Sequence, residues 1–110
     1  MKIPYRKRAV LKREKIVNYL LSSTHPQGRP KAIYFRSKGF NETNIDIFKE
    51  LLLSVAYEKE VIEVTESIHG KKYIINGEIK TPNGEMITIQ TVWIINKNTR
   101  KPFFVTAYHV

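Results

Sequence analysis

The hydrophobic period of this chain changes once, near residue 60, and that change limits what it can fold into. Upstream, apolar residues recur at helical spacing. Ile16, Val17, Leu20 and Leu21 predict a helix near Lys12 to Ser22, stopped by the run Ser22-Ser23-Thr24-His25-Pro26. Pro30 suits the first turn of a second helix, which runs to about Lys38 and ends at Gly39. Ile45, Phe48, Leu51, Leu52, Val55 and Ala56 form one broad apolar stripe on a third helix, with Thr43 and Asp46 as its capping pair. Downstream, the alternation of a strand takes over.

Val61 to Ile68, Lys71 to Thr81, Glu85 to Ile95 and Pro102 to His109 read as four strands. Turns fall at His69-Gly70, Asn83-Gly84 and Asn96 to Lys101, and Asn83-Gly84 is a hairpin signal because both residues accept positive φ. Connections this short favour an antiparallel meander. Three helices followed by four strands therefore predict an α+β fold, with N-terminal helices packed on one face of a four-stranded antiparallel sheet. A short strand is also expected around Arg8 to Leu11.

The 110 residues suffice for one core, so residues 1–110 are read as one domain: a basic segment 1–15, helices within 12–57 and a sheet within 61–109. With no cysteine, a disulfide framework, a thiol nucleophile and the commonest zinc patterns are excluded. His25, His69 and His109 lack metal-ligand spacing, and no cofactor is expected. No apolar run is long enough to span a membrane, and the basic N-terminus is not followed by a signal-peptide core. The expected location is the cytoplasm of the producing cell, without excluding later delivery elsewhere.

Charge is segregated. Residues 1–40 carry eleven Lys or Arg against one acidic residue, whereas residues 41–68 carry two against seven. A basic first third suits a polyanion, since each phosphate contact releases counterions. Such charge also serves solubility alone.

Two segments carry residues that chemistry can use. In Thr24-His25-Pro26-Gln27-Gly28-Arg29-Pro30-Lys31 an imidazole and two cations share a stiffened loop. An imidazole can give or take a proton near neutrality, and an Arg fork and a Lys point charge can converge on one phosphate. The second is the closing hairpin, Gln90-Thr91-Val92-Trp93-Ile94-Ile95 and Pro102 to Tyr108.

If the greasier sets of both strands face the helices, Thr106 and Tyr108 emerge beside Gln90 and Val92 on the opposite face. Thr91 is then a polar exception in the buried row. A one-residue shift of pairing instead puts Thr91 beside Thr106, and alternation alone does not choose. Thr91, Thr106 and Tyr108 also suit a strand with no other task, and Trp93 alternates with Ile89 and Ile95 as a core residue does.

The chain has no carboxylate pair, Gly-rich phosphate loop or acyl-transfer order of Ser, His and Asp. The chemistry left is attack of an RNA 2′-hydroxyl on its neighbouring phosphate, which needs a base, an acid and groups to hold developing charge.

The residues Tyr19-Leu20-Leu21, His25-Pro26, Gly28, Lys31-Ala32, Phe35, Gly39, Gly70, Tyr73, Thr91-Val92-Trp93, Pro102 and Val105-Thr106-Ala107-Tyr108 resemble an uncharacterised bacterial domain family. That family occurs as small stand-alone proteins encoded beside a second small protein in toxin–antitoxin arrangements, and at the tips of polymorphic and contact-dependent toxins. Its ending is similar to ribonuclease toxins of the superfamily grouping barnase, EndoU, colicin-type and RelE-type nucleases.

The resemblance implies a metal-independent endoribonuclease acting on tRNA, mRNA or rRNA, with RNA and a cognate antitoxin or immunity protein as partners. It implies His25 as general acid or base, Lys31 on the scissile phosphate, and Thr106 or Tyr108 positioning it, with Thr91 as a further catalytic candidate. Arg29, where the family has a variable basic residue, takes a binding role, as do Arg36, Trp93 and Gln90. Two other readings stand beside this one: a non-catalytic nucleic-acid or ribosome-binding module, and a partner-binding antitoxin or immunity protein.

Overall fold

A computed structural model describes residues 1–110. After a 3₁₀ turn (Arg6–Arg8), helix α1 (Arg13–Lys15) runs straight into a π-helical turn (Ile16–Leu20). The Leu21 N–H accordingly donates to the Ile16 carbonyl, five residues back, at 2.8 Å. Ile16, Leu20 and Leu21 are all buried, so the wider turn satisfies the apolar positions that predicted a helix here.

Helix α2 (Arg29–Ser37) begins with Pro30 in its first turn. It closes in a Schellman arrangement: Phe40 N–H donates to Phe35 C=O, Gly39 N–H donates to Arg36 C=O, and Gly39 takes φ 98°. The buried Phe40 ring then packs against Phe35 and stacks on Phe48, which joins the end of α2 to α3.

Helix α3 (Ile45–Glu58) starts one residue later than a Thr43 cap requires. Asn44 is the cap residue and no side chain bonds the first turn. Thr43 instead donates its N–H to Asn41 Oδ1 (2.8 Å), and Asn44 Oδ1 accepts from Asn41 N–H (2.9 Å), so two asparagines tie up the entry loop.

The sheet has order β1-β2-β3-β4, from β1 (Val61–Ser67), β2 (Gly70–Lys80), β3 (Met86–Asn96) and β4 (Phe103–His109), with every pair antiparallel. The fold is α+β with the helices against one sheet face, as the pattern predicts. Helix α3 lies close to the sheet over Gly77, where an added Cβ would come within 2.9 Å of Val55 Cγ2.

At Thr81 to Glu85 only Gly84 takes positive φ (87°). Pro82 fixes its own φ, and the Gly84 N–H donates to Thr81 C=O, so the loop is a four-residue turn, Thr81 to Gly84, that ends on the glycine rather than a two-residue hairpin at Asn83-Gly84.

The register at β4 settles which threonine faces where. Val92 pairs with Thr106, Gln90 with Tyr108, and Thr91 with Ala107, while a bulge beyond Val92 pairs Trp93 with Phe104. The bulge lets both Phe104 and Ala107 turn inward against the helices, although simple alternation puts them on opposite faces. Trp93, Phe35, Phe40 and Phe48 are the largest fully buried side chains of the resulting core.

The two sheet edges differ. Beside β4, Val10 N–H donates to Pro102 C=O and Phe104 N–H donates to Val10 C=O, so the strand expected at Arg8 to Leu11 is a single parallel bridge. Strand β1 is the other edge, and Ile62 and Val64 are among its exposed residues. No helix is long and apolar enough to cross a membrane.

Candidate functional site

The π turn and the loop after it build one wall of a surface groove. Ser22 Oγ accepts from the N–H of Thr24 and of His25, which turns the chain sharply after the helix. The chain then passes against the π turn so closely that a Cβ on Gly28 would lie 2.1 Å from the Tyr19 carbonyl oxygen. Only glycine fits there.

His25 is locked by this turn. Its Nδ1 accepts from the N–H of Gln27 (3.1 Å) and of Gly28 (3.0 Å), and its carbonyl accepts from Arg29 N–H (2.9 Å). An Nδ1 that accepts twice carries no proton, so the neutral ring holds its proton on Nε2. The ring meets Tyr19 edge-on, with centroids 4.9 Å apart.

Tyr19 is the hub. Its hydroxyl shares a 2.8 Å hydrogen bond with Thr106 Oγ1 on β4. Two ammonium groups lie over its ring, Lys15 Nζ at 4.8 Å and Lys31 Nζ at 5.4 Å from the centroid. Lys15 also donates to Val105 C=O (3.3 Å), the bulge carbonyl, and Lys31 donates to Gln27 C=O (3.1 Å). Glu14, Lys15, Tyr19, His25, Gln27 and Thr106 line the resulting groove of about 460 Å³. Glu14 is exposed and is its one carboxylate.

Tyr108 stands two residues from Thr106 and opens onto a neighbouring depression, shared with Lys31. Its hydroxyl accepts from Gln90 Nε2 across the β3–β4 pair. The structure thus brings His25, Lys31, Thr106 and Tyr108 to one flank of the molecule. Arg29 is exposed at the start of α2.

Thr91, Trp93 and Arg36 are placed differently. Thr91 and Trp93 are fully buried: Trp93 Nε1–H donates to Thr91 Oγ1 (2.8 Å), and Thr91 donates to Ile75 C=O (2.8 Å). Thr91 is a hydrogen-bonding partner for a core indole, and neither side chain presents an atom to a surface ligand. Arg36 donates through Nε and Nη2 to Leu21 C=O and through Nη1 and Nη2 to Glu42, tying the end of the π turn to the loop before α3. The guanidinium holds the Glu42 carboxyl at about 2, well below the usual carboxylate range, and is itself raised by that bond. No group of three or more His, Cys, Asp or Glu converges anywhere in the molecule.

A family model described as a domain of unknown function, DUF6883, matches residues 2–110. The chain belongs to the DUF6883 family. No curated protein matches it significantly. Among solved structures, a chain of a "contact-dependent growth inhibition toxin - immunity protein complex from Klebsiella pneumoniae 342" is similar in fold, with a TM-score of 0.74, 12% identity and 96% of each chain covered.

Sequence reasoning overlooked three residues of this DUF6883 groove as site residues. Tyr19 is hidden by its place beside Leu20 and Leu21 in an apolar run. Glu14 had a legible signal, being the one acid among eleven cations in residues 1–40, and Lys15 had none.

Proposed function

We propose that this DUF6883 domain is a toxin-type endoribonuclease whose groove cleaves single-stranded RNA by attack of a 2′-hydroxyl on the adjacent phosphate. The observation that carries this reading is the convergence, around Tyr19, of two ammonium groups, a fixed imidazole donor, a strand hydroxyl and one unpaired carboxylate.

Each group has a task that its bonding suits. His25, held through Nδ1 by two backbone amides, keeps Nε2–H free to donate to a non-bridging phosphate oxygen; moving a proton through Nδ1 would cost both amide bonds. It therefore holds charge rather than shuttling protons. The Tyr19–Thr106 hydroxyl pair and Lys31 add donors and positive charge. Glu14 takes the proton from the 2′-hydroxyl as O2′ bonds to phosphorus. As the bond from phosphorus to O5′ breaks, the Lys15 ammonium protonates O5′. The products are a 2′,3′-cyclic phosphate and a 5′-hydroxyl.

The test is incubation of the purified protein with tRNA and ribosomal RNA in EDTA, beside Glu14→Gln and His25→Ala. Glu14→Gln should lower turnover about 10²- to 10⁴-fold without loss of fold. A wild-type protein inactive on every RNA, or a fully active Glu14→Gln, overturns the assignment.

A toxin of this kind needs a cognate protein to hold it in check. The similar fold in a toxin–immunity complex supports that partner, and leaves room for a second reading in which this chain is itself the partner-binding member. The outer edge of β1 beyond Val61, whose N–H donates to Met1 C=O, with Ile62 and Val64 exposed, favours some protein contact through strand addition. Expression in a bacterial host separates the two readings: growth arrest abolished by Glu14→Gln supports the nuclease, and harmless expression that rescues cells from a neighbouring gene product supports the immunity role.

A further inference from the structure

The depression beside the groove has about 260 Å³ and three accessible aromatic rings, Tyr34, Tyr108 and His109, over the buried Phe35, with Pro30 and Lys31 at its side. None of the other surface depressions is so rich in rings. Its volume is small for a whole extended ligand and suits a single planar ring system. His109 stacks on Tyr34 with centroids 4.0 Å apart and planes 18° from parallel, and is otherwise exposed. Tyr34 is steadied from its other neighbours, edge-on by Phe35 and by Lys38 Nζ at 5.5 Å. Tyr108 is fixed by Gln90. These rings are held in place before any ligand arrives.

The depression is also in line with the groove. Thr106 and Tyr108 are two residues apart on β4, about 7 Å along a strand, one opening onto each site. Lys31 joins them, lining the depression while its ammonium lies over the Tyr19 ring of the groove.

We propose that this depression is a nucleobase subsite, in which the base next to the phosphate held in the groove stacks on the His109–Tyr34 pair. The inference rests on the reading of the groove as an RNA site. Stacking on an aromatic platform accepts every base and favours the larger purine face. The lining offers few fixed polar groups to read a base edge, so the subsite grips a single strand without selecting a sequence by hydrogen bonds.

Binding that needs no cleavage tests this. The probes are a labelled 2′-O-methyl oligoadenylate, which lacks the nucleophile, and an abasic phosphodiester of equal length and charge, measured by fluorescence anisotropy at fixed salt. Wild-type protein should prefer the oligoadenylate by about 5- to 150-fold. His109→Ala should erase most of that preference and leave abasic affinity unchanged; His109→Phe, which keeps a ring on Tyr34, should restore it. A wild-type protein with no preference, or a preference that His109→Ala leaves intact, overturns the subsite even if RNA is cleaved. A preference lost in His109→Ala and restored in His109→Phe upholds the subsite even if no RNA is cleaved and the nuclease reading falls.

Discussion

Replacing Thr91 by valine removes one oxygen from the centre of the molecule and tests what that residue is for. Valine has nearly the shape of threonine, so no cavity opens. What changes is polar: Trp93 Nε1–H loses its only acceptor, and Ile75 C=O loses a donor, both at a site with no exposure. Stranding a buried donor costs about 1–3 kcal/mol, and the lost bond to Ile75 about 1 kcal/mol more. The expected destabilisation is therefore about 2–4 kcal/mol, a large share of the roughly 5–15 kcal/mol that holds a domain folded. For a chain of this size that lowers Tm by roughly 8–20 °C.

Thr91→Ser is the control. It keeps both hydrogen bonds and loses a methyl group, at about 1 kcal/mol. Urea unfolding followed by far-UV circular dichroism gives the free energies, and the emission of Trp93, the single tryptophan, reports the indole environment separately. RNA cleavage measured well below the transition should be unchanged in both variants. A Thr91→Val protein as stable as Thr91→Ser, or one of wild-type stability that has lost turnover, would refute the core assignment and return the hydroxyl to the site.

Two further outcomes follow from the geometry. Gly28→Ala places a methyl group against the backbone oxygen of Tyr19, at a distance no side chain tolerates, so it should cost about 1–3 kcal/mol or more in thermal unfolding and weaken oligonucleotide binding as the His25 loop shifts. Glu42, held at about 2 in the folded state against 4.5 ordinarily, contributes stability that is present above pH 4.5 and lost as pH falls through about 2. Glu42→Gln should therefore be less stable than wild type at neutral pH and flatten the acid limb between those values. Urea titrations across pH 2–7 should show the two curves meeting near pH 2, and parallel curves would remove the Arg36–Glu42 pair from the account.

Much of the architecture was legible because short-range rules govern it. The Ile45 to Ala56 stripe can bury its apolar side only as a helix on a core, and the four alternating runs with short turns can pair only as a meander. Where the reading slipped, local chemistry had two solutions. Thr43 and Asp46 have capping spacing, yet Asn41 and Asn44 take the hydrogen bonds. Asn83-Gly84 fits a tight hairpin, yet Pro82 sets a longer one. In the candidate site, His25, Lys31, Thr106 and Tyr108 stood out by residue type, but Tyr19 did not: an aromatic in an apolar helical run looks the same whether its hydroxyl meets solvent, core or Thr106.

The sequence by itself determined the order of elements, the segregated charge and the presence of an imidazole and cations on a stiff loop, since composition and period act over a few residues. The tertiary structure decided the rest. Pairing of Val92 with Thr106 settled that Thr106 is not across from Thr91, which lies in the buried row of β3 with Trp93, and a bulge beyond that pair turned Phe104 inward beside Ala107. A π turn and the close pass of Gly28 brought Tyr19, His25 and two lysines to that threonine. Such choices depend on contacts between elements, Tyr19 and Thr106 being 87 positions apart, and no local period records them.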